Sequence, residues 1–402
     1  MIIQPPKGFR DFLKETSIQK NFLIEKLKNL FERFGFDPLE TPTLEYAEVL
    51  LGKYGEEADK LIYIFKDRGG RKLGLRYDQT VPLARVVAQY QDLPKPFKRY
   101  QIQPVFRAEN PQKGRFREFV QADIDIIGES SLLAEAEIIN TSLKVLRELG
   151  LKKTKIFIND RKIFENIDKK IISAIDKLEK IGEEKVVEEI EKKQQVSKKE
   201  AKAIFNQIKN KEPTKNILNL FSLLEKYGLK EKDDFIFQPT LARGLDYYTG
   251  IIFEAIDENY KNGSLGGGGR YDNLIGIFSK NSIPACGFAF GFDRLLEVIN
   301  KFNLFSKKTT TTKVLVTIFS KKLIDKSIKV ANFLRENNIN TELFLNPEKK
   351  IDKQLKYADK KGIPFVLILG EEEVKKNMVK LKNLKTGEQK EMILEDILKM
   401  LA

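Results

Sequence analysis

Two stretches of this chain gather side chains of the kinds that handle phosphates and amino acids. The first is "QIQPVFRAENPQKGRFREFVQADIDIIGE", residues 101–129. If 101–109 and 117–127 are strands, alternate residues sort onto opposite faces. Even positions bring Ile102, Phe106, Ala108, Val120, Ala122, Ile124 and Ile126 to one apolar face. Odd positions bring Arg107, Glu109, Phe119, Gln121, Asp123 and Asp125 to the other. An arginine among carboxylates suits a ligand that carries both phosphate and ammonium groups. Phe119 offers a ring on which a base can stack. In the joining loop, Lys113 and Arg115 flank Gly114, a setting for phosphate contact. The second stretch is "LARGLDYYTG", 241–250, with Arg243 and the adjacent tyrosines Tyr247 and Tyr248 between apolar runs. Nearby, "SLGGGGRYDNLIG" sets four glycines ahead of Arg270 and Tyr271. Such a run is either a mobile loop or a wall that a ligand approaches closely.

The composition narrows the chemistry. The chain has 402 residues and no histidine. A histidine metal site and Ser–His or Cys–His nucleophile pairs are therefore excluded. Reactions must run on carboxylates, Lys, Arg, Tyr, backbone dipoles or the substrates' own groups. The single cysteine, Cys286, excludes an internal disulfide framework. No apolar run approaches the length of a membrane span, and "MIIQPPKGFRDF" lacks the pattern of a signal peptide. A cytoplasmic protein without membrane contact is expected.

The elements that must position these groups can be read from periodicity. "KETSIQKNFLIEKLKNLFERFG" has helical spacing and stops at Gly35. "RKLGLRYDQTVPLARVVAQY" reads as a strand and then a helix, with Thr80 as N-cap and Pro82 in the first turn. Residues 161–232, rich in Lys, Glu, Ile and Leu, read as a helical insertion that splits a sheet domain. "KFNLFSKKTTTTK" reads as a linker, with 306–312 at its centre. Beyond it, strands alternate with helices to the end, indicating a small α/β domain over 313–402. The net charge of +14 is uneven: 1–160 with 233–300 is neutral, 161–232 carries +5 and 313–402 carries +6. Basic appendages on a neutral body suggest a polyanionic partner, although lysine-rich surfaces are common on helices.

The motifs carry a resemblance. "FRAENPQKGRFREFVQ" resembles motif 2 of class II aminoacyl-tRNA synthetases. "PPKGFRDF" and "GFAFGFDRLLEV" (287–298) are similar to the flanking class II elements. "LARGLDYYTG" and "GGGGRYDNL" resemble the two signature peptides of the histidyl-tRNA synthetase family. The resemblance covers nearly the whole chain, in family order.

It implies an α+β fold: an antiparallel six-stranded sheet with flanking helices, normally in a homodimer. The catalytic core would be 1–160 and 233–305, with the insertion at 161–232 and an anticodon-binding α/β domain at 313–402. The implied reaction is ATP-dependent ligation of L-histidine to its tRNA through histidyl-adenylate, with Mg²⁺ arriving on ATP. The implied ATP contacts are Arg107 at the α-phosphate, Arg294 at the γ-phosphate, Arg115, Phe119 against adenine, and Glu109 at the adenine amino group or as a support for arginine. Asp78, Thr80 and Gln121 would meet the histidine ammonium, and Asp125 and Tyr248 the imidazole, with Tyr247 beside them. Arg243 and Arg107 would be catalytic, Arg243 bridging the attacking carboxylate and the α-phosphate. Gln112 and Lys113 would reach the tRNA end. Many members carry histidine where Ala108 and Val120 stand; both positions fall on the apolar face. The alternative is the histidine-sensing regulatory subunit of ATP phosphoribosyltransferase, which shares the fold without aminoacylation.

Overall fold

Alternation of apolar and polar residues over two long stretches builds the centre of the molecule. In the computed structural model, which describes residues 2–53, 59–111, 116–243, 247–260, 263–305 and 308–401, these are strands β5 (Phe97–Phe106) and β6 (Glu118–Ile127). They pair antiparallel, with Tyr100 opposite Ile124 and Ile102 opposite Ala122. Four further strands extend the sheet: β7 (Thr154–Asp160), β9 (Ile251–Asp257), β10 (Gly266–Arg270) and β11 (Ala285–Gly291). The order β5-β6-β11-β10-β9-β7 is antiparallel throughout. Two short parallel strands close its edges, β1 (Asp37–Pro38) beside β5 and β8 (Phe235–Phe237) beside β7. The six-stranded antiparallel sheet of the sequence reading is thus the core of an eight-stranded one.

The two faces of this sheet differ, as strand alternation demands. Even residues of the hairpin, Val120, Ala122, Ile124 and Ile126, join the largest apolar core. Helices α1 (Lys14–Arg33), α3 (Leu133–Glu148), α7 (Lys215–Lys226) and α8 (Phe292–Lys301) cover that face with residues such as Leu27, Ile138, Leu220 and Leu295. The opposite face carries the polar residues. A second, smaller core borders it, built from Val81, Leu83 and Val87 of helix α2 (Thr80–Gln89) together with Ile127, Tyr248, Ile252 and Tyr271. A small sheet of β2 (Leu44–Tyr46), β4 (Lys72–Leu75) and β3 (Ile64–Lys66) leads into α2.

Two local expectations need correction. Helix α2 begins at Thr80, with Gln79 in the N-cap position. The first-turn amide of Val81 donates instead to Asp78 Oδ1 at 3.0 Å. The carboxylate outcompetes a hydroxyl here because an ionised acceptor makes the stronger bond to a helix N-terminus. Val120 lies in the apolar core, but Ala108 stands beyond the end of β5, half-buried, with its amide donating to Leu61 O at 2.8 Å.

Residues 161–232 contain a 3-10 turn (Arg161–Phe164), four α-helices and, among the described residues, no strand: α4 (Lys169–Ile175), α5 (Leu178–Gln194), α6 (Lys198–Lys209) and α7. Helices α4 to α6 share a core of their own around Ile175, Val186, Ile190 and Phe205. Helix α7 turns Ile217, Leu220, Phe221 and Leu224 to the main sheet. Packing therefore divides a stretch that composition alone makes uniform.

The chain divides into two units, Met1–Asp11 with Leu23–Phe305, and Phe12–Phe22 with Ser306–Ala402. In the second, β13 (Thr341–Leu343), β12 (Val314–Val316) and β14 (Phe365–Ile368) are parallel, and β15 (Val379–Asn383) and β16 (Gln389–Met392) add an antiparallel hairpin. Helices α9 (Ile324–Glu336) and α11 (Leu394–Leu401) pack Ala331, Leu334, Ile397 and Leu401 against this sheet, while α10 (Ile351–Lys361) contributes Ala358 to a second apolar cluster with Leu315 and Val366.

Candidate active site

Cross-strand register aligns the polar face into two rows. One runs Arg99, Asp125, Gly287, Gly269, Ile252, Asn159 from β5 to β7. The next runs Gln101, Asp123, Ala289, Gly267, Glu254, Phe157. Each row is polar on the hairpin side and bare in the middle. Glycine at 267, 269 and 287 and the small Ala289 leave a trough across the sheet. The glycine run is therefore part of a strand, not a mobile loop.

The trough is occupied from its sides. A Cβ on Gly267 would come within 2.7 Å of Arg243 Cζ, and one on Gly269 within 3.0 Å of Tyr248 Cδ1. A Cβ on Gly287 would come within 2.6 Å of Asp125 Cγ. Arg243, Tyr248 and Asp125 thus lie over glycines, which is why the run tolerates no larger residue. Gly268 faces the other way, against the Gly287 backbone.

Arg243 is held at one side. Its Nη1 donates to Glu254 Oε1 at 3.5 Å, and its guanidinium lies 5.8 Å from the Tyr248 ring. Its Nε is buried without a hydrogen-bond partner. Burial opposes its charge, yet the surrounding Tyr248, Glu254 and Tyr247 raise its pKa further. The cation is permanent. Asn159 Nδ2 anchors the approach to it by donating to Pro239 O at 3.0 Å and Leu241 O at 2.9 Å. Ala242 packs into the core of helices α4 to α6. Asp246 lies outside the described residues.

Carboxylates hold the other side. Asp78, just ahead of α2, takes the Val81 amide on Oδ1 and the Tyr247 hydroxyl on Oδ2 at 3.4 Å. Thr80, the first residue of α2, lies against Tyr247 and counters the upward shift that burial imposes on its phenol. The Tyr247 ring centroid is 4.9 Å from that of Tyr248 and 5.9 Å from that of Tyr271. Gln121 Nε2 reaches Asp123 Oδ1 at 3.5 Å, and its Oε1 is buried without a partner. Burial pushes Asp123 well above the usual carboxyl range; Arg99 opposes this, and Asp125 and Asp78 add to it. Burial raises Asp125 too, against Arg99 and a hydrogen bond from Tyr271. The structure therefore brings Asp78, Thr80, Gln121, Asp125, Arg243, Tyr247 and Tyr248 to one trough.

The expected phosphate and base contacts lie towards the loop end of the hairpin. Arg107 donates from Nε to Tyr77 O at 3.3 Å, and its guanidinium lies 4.4 Å from the Tyr77 ring centroid and 5.1 Å from that of Phe119. The Arg107 amide donates to Arg117 O at 2.9 Å, so pairing continues past β5. Arg117 Nε donates to the Glu109 carbonyl at 3.0 Å. Arg294 stands in the first turn of α8 and donates to Ser264 O at 2.5 Å. The N-terminal segment meets both motifs: Arg10 pairs with Asp293 at 2.6 Å, and Asp293 Oδ2 accepts from the Val120 amide at 3.2 Å. Gln112, Lys113 and Arg115 lie outside the described residues.

Arg270 points elsewhere. It pairs with Glu135 of α3 through Nε at 2.5 Å and Nη2 at 2.6 Å, tying β10 to the helix. Sequence reasoning missed Arg99, Gln101, Gln103 and Glu254. The first three share the parity of Arg107; Gln101 and Gln103 already lie within the alternating stretch, and carrying it two residues upstream adds Arg99. Glu254 has no comparable signal, because only pairing with Gly267 brings it to the trough. Among the described residues no group of three or more carboxylates or thiols could hold a metal ion by itself. Among them, too, no helix is long and apolar enough to cross a membrane.

Comparison with known proteins agrees with this arrangement. A family model described as histidyl-tRNA synthetase matches residues 8–218 and 174–295, and one described as an anticodon binding domain matches 313–402. The histidine–tRNA ligase of Cytophaga hutchinsonii is 38% identical, with 98% of each chain covered. The crystal structure of histidyl-tRNA synthetase from Nostoc sp. PCC 7120 superposes with a TM-score of 0.82 at 29% identity, over 100% of this chain and 99% of that one. A structure titled as an ATP phosphoribosyltransferase regulatory subunit/histidyl-tRNA synthetase from Bacillus halodurans shares the fold, with a TM-score of 0.72 at 24% identity, over 89% of this chain and 96% of that one. The motifs, the sheet and these matches over nearly its full length agree: the chain belongs to the histidyl-tRNA synthetase family.

Proposed function

We propose that this chain ligates L-histidine to its tRNA at the expense of ATP, in two steps. In the first, a histidine carboxylate oxygen attacks the α-phosphorus, a P–O bond forms, and pyrophosphate leaves. In the second, a hydroxyl at the tRNA 3′ end attacks the acyl carbon, its proton passes to the adenylate phosphate, the bond from acyl carbon to phosphate oxygen breaks, and AMP leaves. The observation that carries this reading is the Arg243 guanidinium over Gly267, facing the buried carboxylates across a glycine floor.

A trough with a permanent cation on one side and anions on the other suits an amino acid. Asp78, Thr80 and Gln121 take the ammonium, and Asp125 and Tyr248 the imidazole. Tyr247, bonded to Asp78 and packed on Tyr248, braces them. The substrate carboxylate then lies at Arg243, where a fixed guanidinium neutralises charge building on the α-phosphate. The first step needs no protein base, because its nucleophile is already ionised. Arg107 meets the α-phosphate and Arg294 the γ-phosphate, where first-turn amides of α8 add their dipoles. Arg115, Phe119 and Glu109 complete the ATP site, Phe119 by stacking on adenine. Mg²⁺ arrives on the ATP phosphates as part of the substrate. Gln112 and Lys113 approach the tRNA end, and the helices of 161–232 and the domain at 313–402 bind its arms. The functional assembly is a homodimer in the cytoplasm.

The regulatory-subunit reading has less support, because this chain keeps Arg107, Arg243, Arg294 and a domain at 313–402. The test is ATP–pyrophosphate exchange with each of the twenty amino acids. Histidine alone should drive exchange, and Arg243→Ala should abolish it with the fold intact. Histidine binding without exchange would give the regulatory reading instead.

A further inference from the structure

Arg99 and Asp125 are direct cross-strand partners on β5 and β6. The Arg99 side chain is wholly buried, and its Nη2 lies 2.6 Å from Asp125 Oδ2 in an ion pair. On the other side, the Tyr271 hydroxyl donates to Asp125 Oδ1. The bare Cα of Gly287 leaves the space that the carboxylate fills. Arg99 is fixed in turn: its Nη1 donates to Gln101 Oε1 at 3.2 Å, and Gln101 Nε2 donates to Thr41 Oγ1 at 2.9 Å. A buried ion pair is a poor way to stabilise a sheet, since apolar residues of the same volume do as well without the desolvation cost. The pair therefore calls for a reason other than stability.

We infer that Arg99 is a positioning residue for amino-acid selection: it holds Asp125 as an anion over Gly287, ready to accept a hydrogen bond from an imidazole N–H. The inference rests on the histidine reading above. The groups that face Asp125 are Arg99 on β5, Asp123 on its own strand, Asp78 ahead of α2 and Tyr271 after β10. Arg99 is the cation among them. Without it, burial and the neighbouring carboxylates drive Asp125 towards the neutral acid. A neutral acid turns one oxygen from acceptor to donor and discriminates poorly for an N–H. An arginine suits the task because it keeps its proton at any depth of burial, whereas a buried lysine can lose it.

The test is equilibrium binding of L-histidine by calorimetry to the full chain, its Arg99→Met variant and its Arg99→Lys variant, between pH 6 and 9. The ratio of variant to parent Kd cancels the titration of the substrate's own imidazole. For Arg99→Met the ratio should be about ten or more at pH 7, the scale of an unpaired buried polar group. It should shrink as pH rises and Asp125 regains its charge. ATP binding should change less than about twofold on the same argument, because Arg99 lies near the opposite end of the hairpin from Arg107 and Phe119. Arg99→Lys should give a ratio of about three to ten, constant between pH 6 and 8, since charge returns without the planar fork. This variant decides the matter alone if Arg99→Met does not fold. Ratios near one, or an Arg99→Met ratio that does not vary with pH, would overturn the assignment. Parent binding with the Arg99→Met loss but no pyrophosphate exchange supports the assignment and overturns the ligase reading. A parent that binds no histidine overturns both.

Discussion

The Arg243 guanidinium lies over Gly267, in the space that the side chain of any other residue at 267 would need. The pairing is specific to that glycine, because Gly266 and Gly268 face the opposite side of the sheet.

It follows that Gly267→Ala should disable the chemistry while sparing the rest of the site. The added methyl meets both the guanidinium and, at 2.9 Å, Phe253 O. Overpacking of this kind costs about 1–3 kcal/mol of stability. Displacing the cation should lower kcat in pyrophosphate exchange by about a hundredfold or more, the scale of losing one fixed electrostatic contact. KM for histidine should move much less. Exchange kinetics beside a thermal melt separate the two effects, and an unchanged kcat would remove Arg243 from the centre of the mechanism.

Asp123 predicts a pH dependence of stability. Burial raises its folded pKa above the unfolded value of about 3.9. The folded state then binds the proton more tightly than the unfolded chain. The stability this contributes is present below the unfolded pKa and is lost as pH rises towards the folded one. Asp123→Asn removes the titration. Relative to the parent, the variant should gain stability as pH climbs from about 4 upward. Melting temperatures measured across that range check the sign, and a constant difference would contradict it.

Arg270 and Glu135 are expected to matter for stability rather than chemistry. The Glu135 side chain is wholly buried and that of Arg270 is 9% exposed. Removing one partner strands the other charge, at a cost of about 3–5 kcal/mol. Arg270→Met should therefore unfold at lower denaturant concentration, while the folded fraction keeps parental KM values for ATP and histidine. A selective rise in one KM would show that Arg270 serves the site.

The excess positive charge of 161–232 and 313–402 predicts salt-sensitive tRNA binding. Log affinity should fall linearly with log salt, with a slope near −0.7 to −0.9 per phosphate neutralised. Pyrophosphate exchange, which needs no tRNA, should respond far less. Equal salt responses in filter binding and exchange would argue against a polyanion held on these surfaces.

Much of this was legible in the residues themselves. Alternation along 101–129 sorted the hairpin faces, since neighbouring side chains on a strand must point oppositely. Helical spacing at 14–35 and the composition of 161–232 marked helices. The absence of histidine excludes whole classes of mechanism whatever the fold. Less legible was anything decided between strands. Alternation assigns a residue to a face but says nothing of what stands beside it on the next strand.

Side-chain chemistry, face and motif order are local properties, and the sequence determines them by itself. The neighbours of each side chain are set by register, which depends on how the whole sheet packs against α1, α3, α7 and α8. Only the tertiary structure sets Arg99 against Asp125, Asp125 over Gly287, and Glu254 across Gly267 from Ala289. It also divides 161–232, because α7 turns its apolar stripe to the main sheet while α4 to α6 bury theirs among themselves. A glycine run is ambiguous in one dimension. It becomes the floor of a site only when the chain ahead of β9 brings Arg243 over Gly267 and Tyr248 over Gly269.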